Sequence, residues 1–226
     1  MGAMTVSAAT AAGFDLVERT ARQVRELITD GRFGPGMQLA EEAVAKELQV
    51  SRNTLRESFR ILMREGLLVR EPNRGVFVHR PTLADVLDIY RVRRIIEEQA
   101  IRTALPHHPG VVAAREAVDA ALTYRAQGQW RMVGSMNMAF HTAIIGLADS
   151  ERLDTLFERL QAELRLAFVL IAEPERMHAP FVDDNVTITE LLETGRPDEA
   201  ADLLDAYFDR SERTVVTALN RLVPRA

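Results

Sequence analysis

Residues 39–78 read LAEEAVAKELQVSRNTLRESFRILMREGLLVREPNRGVFV. Leu39, Val44 and Leu48 give a first short helix an apolar face, and Gln49-Val50 supply a turn. Ser51 is placed to cap the next helix, because its hydroxyl can accept from an amide of the exposed first turn. Arg52 to Glu65 then carries Leu55, Phe59 and Leu62 inward at helical spacing. The opposite face carries Arg52, Arg56, Arg60 and Arg64, each four residues apart. Gly66 is the expected stop, since glycine enters the left-handed cap at little cost. Leu67–Arg70 and Val76–Val78 read as two strands joined through Pro72-Asn73-Arg74-Gly75, a turn composition. Helix, turn, helix and two-stranded wing make a winged helix-turn-helix.

The second helix of such a unit enters a DNA major groove with its N-terminal residues at base edges. Here those are Ser51, Arg52, Asn53, Thr54 and Arg56. Arginine can pair bidentately with guanine and asparagine with adenine, while the hydroxyls can reach base or phosphate. An arginine stripe alone also fits a surface helix paired with Glu57 and Glu65. The turn, the cap and the basic wing tip beside it favour DNA.

Charge is divided along the chain. The net charge is −5 over 226 residues. Residues 14–80 hold 12 Lys or Arg against 10 Asp or Glu, net +2, and residues 81–226 hold 16 against 23, net −7. A mildly basic head on an acidic body presents only its head to DNA. Cysteine is absent, which removes disulfides, thiol nucleophiles and thiolate metal sites. No apolar run approaches the ~20 residues needed to span a membrane, and the start MGAMTVSAATAAG lacks the basic and apolar segments of a signal peptide. A cytoplasmic protein is expected. Residues 1–13 are expected to be a disordered tail, with Met1-Gly2-Ala3-Met4 resembling an expression scar.

Asp15 to Asp30 is expected to be a helix under the recognition unit, with Val17, Ala21, Val24 and Ile28 on one face. Arg80-Pro81 ends the wing and Thr82 can cap the next helix, so domains are expected at 14–80 and 81–226. The second reads as helices at 82–105, 111–126, 130–148, 151–172, 181–193 and 198–222, with Pro174 and Pro180 in a loop. Leu153, Leu156, Leu160, Leu164 and Phe168 give the fourth its inner face. Six or seven helices with short connections make an antiparallel all-helical bundle. The expected fold class is therefore mainly α.

The head resembles that of the GntR family of bacterial transcription regulators. LAEEAVAKELQVSRNTLRESFRILMREGLL follows its pattern of a helix, V-S-R-x-x-x-R-E, and L-x-x-E-G-L, and PNRGVFV resembles its wing. The body resembles the FCD effector domain of the FadR-like subgroup, through Arg93 and Glu97 in YRVRRIIEEQ, NMAFH at 137–141 and ELLETGRPDEAADLL at 190–204. The resemblance implies a homodimer that reads an inverted-repeat operator in double-stranded DNA. It also implies a metabolite, such as a small organic acid or acyl compound, that binds the bundle and changes DNA affinity. It assigns DNA contacts to Arg52, Asn53, Thr54 and Arg56, and the wing tip to Asn73, Arg74 and Gly75.

Many FCD domains bind a divalent metal through an aspartate, a histidine four residues later, and two further histidines. By resemblance those positions are Asn137, His141, Asn185 and Tyr207. Only His141 is a strong ligand, since neutral asparagine and tyrosine bind Zn²⁺ or Ni²⁺ poorly. No metal and no cofactor is expected, although His178, seven residues before Asn185, leaves open a different geometry. Asn137, His141, Asn185 and Tyr207, with Arg93, remain as a polar cluster inside a bundle. They either satisfy one another or form a ligand pocket in which Arg93 or His141 meets a carboxylate. With no nucleophile, carboxylate pair or phosphate loop at a supporting spacing, an enzyme is not expected. The alternative function is a ligand-independent DNA-binding protein whose polar cluster is purely structural.

Overall fold

The computed structural model describes residues 8–171 and 173–222. The elements run α1 (Ala8–Thr29), β1 (Gln38–Leu39), α2 (Glu41–Glu47), α3 (Arg52–Arg64), β2 (Leu68–Glu71), β3 (Gly75–Val78), α4 (Leu83–Arg102), α5 (Pro109–Ala126), α6 (Trp130–Gly146), α7 (Glu151–Val169), α8 (Pro174–Glu193) and α9 (Pro197–Leu222). The chain divides into two compact units between Arg80 and Pro81. The fold is mainly α, a winged helix-turn-helix followed by a six-helix bundle. No helix among the described residues is long and apolar enough to cross a membrane.

In the first unit α1 packs on α3. Ala21, Val24 and Ile28 meet Leu55, Phe59 and Leu62, and all six are fully buried. The Ser58 hydroxyl fixes the pair by donating to the Val17 carbonyl at 2.9 Å. At the far end the Arg25 guanidinium makes two bonds to Glu65, at 2.7 and 3.0 Å. Helix α1 begins at Ala8 rather than Asp15, so residues 8–13 of the expected disordered tail are helical, as the alanine-rich sequence favours. Residues 1–7 of that tail lie outside the described residues. The sheet also differs from the expected two-stranded wing. Leu39 belongs to a third strand, whose register sets Gln38 opposite Phe77 and Leu39 opposite Val76, giving strand order β1-β3-β2. A two-residue strand has no alternation to read, and Leu39 also fits the apolar spacing of the following helix.

The bundle core joins α4 (Val86, Tyr90, Ile101), α6 (Phe140, Ile144), α8 (Phe181, Ile188) and α9 (Leu204, Tyr207, Phe208). Helix α5 closes it with small side chains, Ala114, Ala117, Val118 and Ala121. Thr82 and Asp85 form a reciprocal capping box at the start of α4. The sequence places Pro174 and Pro180 in a loop, but both lie in α8. Pro180 removes one helical hydrogen bond at a cost of about 3 kcal/mol. Burial of Met177, Phe181 and Val182 around it, worth about 1.5–3 kcal/mol per side chain, more than offsets that. In α7 Leu164 is buried and Leu160 and Phe168 pack against the core, as the leucine spacing predicts, but Leu156 is exposed and the larger aromatic Phe157 beside it takes the inward position.

Candidate functional sites: an arginine-bearing helix and a buried polar chain

Helix α3 starts sharply. Gln49 takes a left-handed backbone (φ 56°) in the turn before it. The Ser51 hydroxyl accepts from the Thr54 amide at 3.0 Å and lies 2.8 Å from the Thr54 hydroxyl. Both hydroxyls are therefore already engaged in the cap, though Ser51 stays exposed. Arg52, Asn53 and Arg56 are exposed on one face beyond it. The two arginine charges are met by carboxylates of α2: Arg52 pairs with Glu42 at 2.7 Å and Arg56 with Glu41 at 2.6 Å. Arg60 pairs with Glu57 within α3. Such exposed pairs are worth about 0–1 kcal/mol, so a phosphate can displace them.

The wing tip is a turn closed by the Arg74 amide donating to the Glu71 carbonyl at 3.1 Å. Pro72 precedes Asn73, whose φ of 61° is the positive value that the third residue of a type II turn requires. Gly75 has φ 108°, and a Cβ there would lie 3.2 Å from the Gln38 side-chain nitrogen. That nitrogen donates to the Arg74 carbonyl at 2.5 Å, so Gln38 of β1 braces the tip. Sequence reasoning misses Gln38 because its partner is 36 residues away. Arg74 is exposed, paired with Glu71 and set over the Phe77 ring.

In the second unit all five polar residues of the expected cluster fall on one chain of contacts. Helix α4 supplies Arg93 and Glu97, α6 supplies Asn137 and His141, α8 supplies Asn185 and α9 supplies Tyr207. The Arg93 Nε donates to Glu97 Oε1 at 2.7 Å, and Glu97 Oε2 lies 2.6 Å from His141 Nδ1. His141 Nε2 lies 3.0 Å from the Tyr207 hydroxyl, which is 3.0 Å from Asn137 Oδ1. Asn185 Nδ2 is 2.7 Å from that same oxygen. Arg93, Glu97, His141, Asn185 and Tyr207 are all buried.

Asn185 Oδ1 is buried and has no hydrogen-bond partner, as is Glu98 Oε1 elsewhere on α4. A polar atom left in that state costs about 1–3 kcal/mol.

The electrostatics follow from burial. Burial opposes charge on Glu97, but the Arg93 guanidinium and the His141 ring hold its carboxyl below the usual range. Burial also lowers His141, against the pull of Glu97 and with the repulsion of Arg93. Burial raises the Tyr207 hydroxyl. Arg93 is enclosed by the rings of Tyr90, Phe157 and Phe208, with its guanidinium carbon 5.0–5.8 Å from their centroids. Glu97 is the member that the candidate residues lacked. Its signal was its place four residues after Arg93, on the same helical face.

This donor set does not suit the metal that FCD-like domains commonly hold. Three of the four positions are neutral amide or phenol, and both His141 nitrogens face protein groups. No group of three His, Cys, Asp or Glu able to hold a metal occurs among the described residues. His178 does not enter the chain of contacts. Its ring packs edge-on to Phe168, and a Cβ on Gly134 would stand 2.4 Å from its Nε2.

Residues 16–78 match the model of the bacterial regulatory proteins of the gntR family, and residues 88–210 match the FCD domain. The Nta operon transcriptional regulator of Aminobacter aminovorans is 26% identical over 180 residues, 79% of this chain and 84% of that protein. The gluconate operon transcriptional repressor of Bacillus subtilis (strain 168) is 24% identical over 170 residues, 73% of this chain and 68% of that protein. A solved structure from Rhodococcus sp. RHA1, assigned as a GntR transcriptional regulator, superposes with a TM-score of 0.85 at 35% identity, covering 89% of this chain and 98% of that one. The chain belongs to the GntR family of bacterial regulatory proteins, with a C-terminal FCD domain: it is a DNA-binding transcription regulator and not an enzyme.

Proposed function

We propose that the protein is a metabolite-responsive, cytoplasmic repressor that binds an inverted-repeat operator as a homodimer. The observation that carries the reading is the exposed face of Arg52, Asn53 and Arg56 at the capped start of α3, on a winged unit whose Asn73-Arg74-Gly75 tip is also exposed. One head makes a small interface, and joining two on neighbouring half-sites raises affinity through effective concentration. The FCD unit supplies the effector site, with Asn137, His141, Asn185 and Tyr207 in contact with a small organic acid or acyl compound and Arg93 behind Glu97. Asn185 supports this, because one end of its amide is buried without a protein partner, a group that a bound molecule can satisfy. The site works without a metal.

The test is selection of bound DNA from a random library, followed by gel shifts at fixed salt with excess random competitor. A two-fold symmetric consensus and a dimer in sedimentation are expected. Loss of the shift on adding one member of a panel of organic acids is expected as well. Binding without sequence preference, or a monomer at micromolar concentration with and without DNA, overturns the reading. A second reading, in which the polar chain is purely structural, is favoured by the near-complete pairing of its members. It predicts operator binding that no metabolite alters.

A further inference from the structure

The contacts from Glu97 to Asn185 form a line of hydrogen bonds, and the count of hydrogens fixes which group donates in each. Glu97 is ionised, since Arg93 lies 2.7 Å from one of its oxygens. Its other oxygen lies 2.6 Å from His141 Nδ1, so that nitrogen must carry a hydrogen. A second hydrogen, on Nε2, would make the ring a cation. Arg93 and Glu97 already neutralise each other, so the cation would be an uncompensated charge in a site only a few per cent exposed. Among the charged groups, only Glu97 and Arg93 act on the His141 ring. The other titratable side chains on the elements packed against α6, among them Tyr90 and Glu98 on α4, Glu163 and Arg165 on α7, His178 on α8 and Tyr207 on α9, supply it with no second counter-charge. Helix α5 turns alanines and valines inward.

A neutral His141 with its hydrogen on Nδ1 has a bare Nε2. The Tyr207 hydroxyl has one hydrogen, and at 3.0 Å it must give it to Nε2. Its oxygen can then only accept from Asn137, which lies 3.0 Å away. A carboxamide keeps its outline when turned by half a revolution, with nitrogen and oxygen exchanged. Asn137 therefore presents its NH₂ to Tyr207, and the second hydrogen of that NH₂ goes to Asn185, 2.7 Å away. Asn185 must meet it with its carbonyl. The end of Asn185 left without a protein partner is then its NH₂.

We infer that Asn185 is a specificity-determining residue whose NH₂ takes an oxygen acceptor of the effector, a carbonyl or a carboxylate. Glu97, His141, Tyr207 and Asn137 are positioning residues that hold the amide in that sense. The inference rests on the small-molecule reading of the FCD unit proposed for this protein. It needs no metal, because the amide hydrogens supply the electropositive group. An ammonium or other donor-only group finds no acceptor at this point.

Two measurements on the full-length protein separate the relay from the ligand. Nitrogen-15 NMR of labelled histidine at pH 7 reads the tautomer of His141. The Nδ1–H form is expected, and Tyr207→Phe is expected to move the Nε2 resonance while the hydrogen stays on Nδ1. An Nε2–H ring, or an imidazolium, overturns the relay whatever binds. The Asn185 side-chain NH₂ resonances are then followed while acetate, acetone and ethylammonium are added separately at millimolar concentrations. Acetate or acetone is expected to shift them, which separates an anionic from a neutral acceptor, and ethylammonium is not. A shift with ethylammonium alone overturns the acceptor assignment. No shift with any probe, in a protein whose His141 is in the Nδ1–H form, overturns the ligand contact and the small-molecule reading of this site together.

Discussion

Glu97 Oε2 on α4 lies 2.6 Å from His141 Nδ1 on α6, and the other oxygen of the same carboxylate holds Arg93. One anion, with no exposed surface, thus ties two helices and neutralises a buried guanidinium. Removing one member of such a pair leaves an uncompensated charge and costs about 3–5 kcal/mol, whereas replacing both with apolar groups is often neutral. Glu97→Leu is expected to lose that amount in urea unfolding of the helical unit. Arg93→Met combined with Glu97→Leu is expected to recover more than half of it. A double variant as unstable as the single one would refute the pairing as the origin of the loss.

His178 sets an acid limit on stability. Burial, with the neighbouring Arg165 charge, lowers it to about 4, whereas the unfolded chain titrates near 6.5. Below about pH 6.5 the unfolded state binds the proton first, so stability falls as pH drops and the loss is complete near pH 4. The shift corresponds to about 3 kcal/mol. His141 is lowered too and acts in the same direction. Glu97, held below its usual range, adds a further loss at more acid pH. His178→Phe keeps a ring against Phe168 and removes only the first contribution. Its stability is expected to fall by about 3 kcal/mol less than that of the natural protein between pH 7 and pH 4. Parallel pH profiles would show that His178 is not the group responsible.

Gly134 is a helix glycine where alanine should destabilise. In an exposed helix the exchange gains up to about 1 kcal/mol. Here the added Cβ would meet three atoms of the His178 ring at 2.4–3.0 Å. The ring is buried and packed against Phe168, so it cannot simply swing aside. Gly134→Ala is expected to cost about 1–3 kcal/mol, the usual range for overpacking. A raised melting temperature would mean that the ring yields. Gly146 on the same helix has nothing within 4 Å of an added Cβ and serves as the control.

The features legible in the sequence were those written in local pattern. Ser51, Gly66 and Thr82 announce helix ends by their chemistry, and Leu55, Phe59 and Leu62 announce a buried face by their spacing. What failed depends on distant partners. Leu39 pairs with Val76 across the sheet, Pro180 stays helical because the core around it outweighs a lost hydrogen bond, and Phe157 displaces Leu156 because it reaches Arg93. The polar chain was half legible. The resemblance aligned Asn137, His141, Asn185 and Tyr207, but the link through Glu97 needed the packing of α4 against α6.

The α2 carboxylates bear on DNA binding. Glu41 lies 2.6 Å from Arg56 on α3 and 3.6 Å from Arg70 on β2, so one anion holds arginines from the recognition helix and the wing. DNA phosphate must compete with it. Glu41→Gln removes the competitor and leaves the arginines in place, so affinity is expected to rise by about tenfold, or 1.4 kcal/mol. The gain should be similar for all sequences and largest at low salt. Arg52→Ala is expected to lose about 1–3 kcal/mol and relax one base of each half-site. Arg74→Ala should weaken all sequences alike, since phosphate contacts carry no base information. Titrations of operator and scrambled DNA at two salt concentrations decide. If Glu41→Gln weakens operator binding and spares scrambled DNA, Glu41 is orienting Arg56 for a base rather than competing for it.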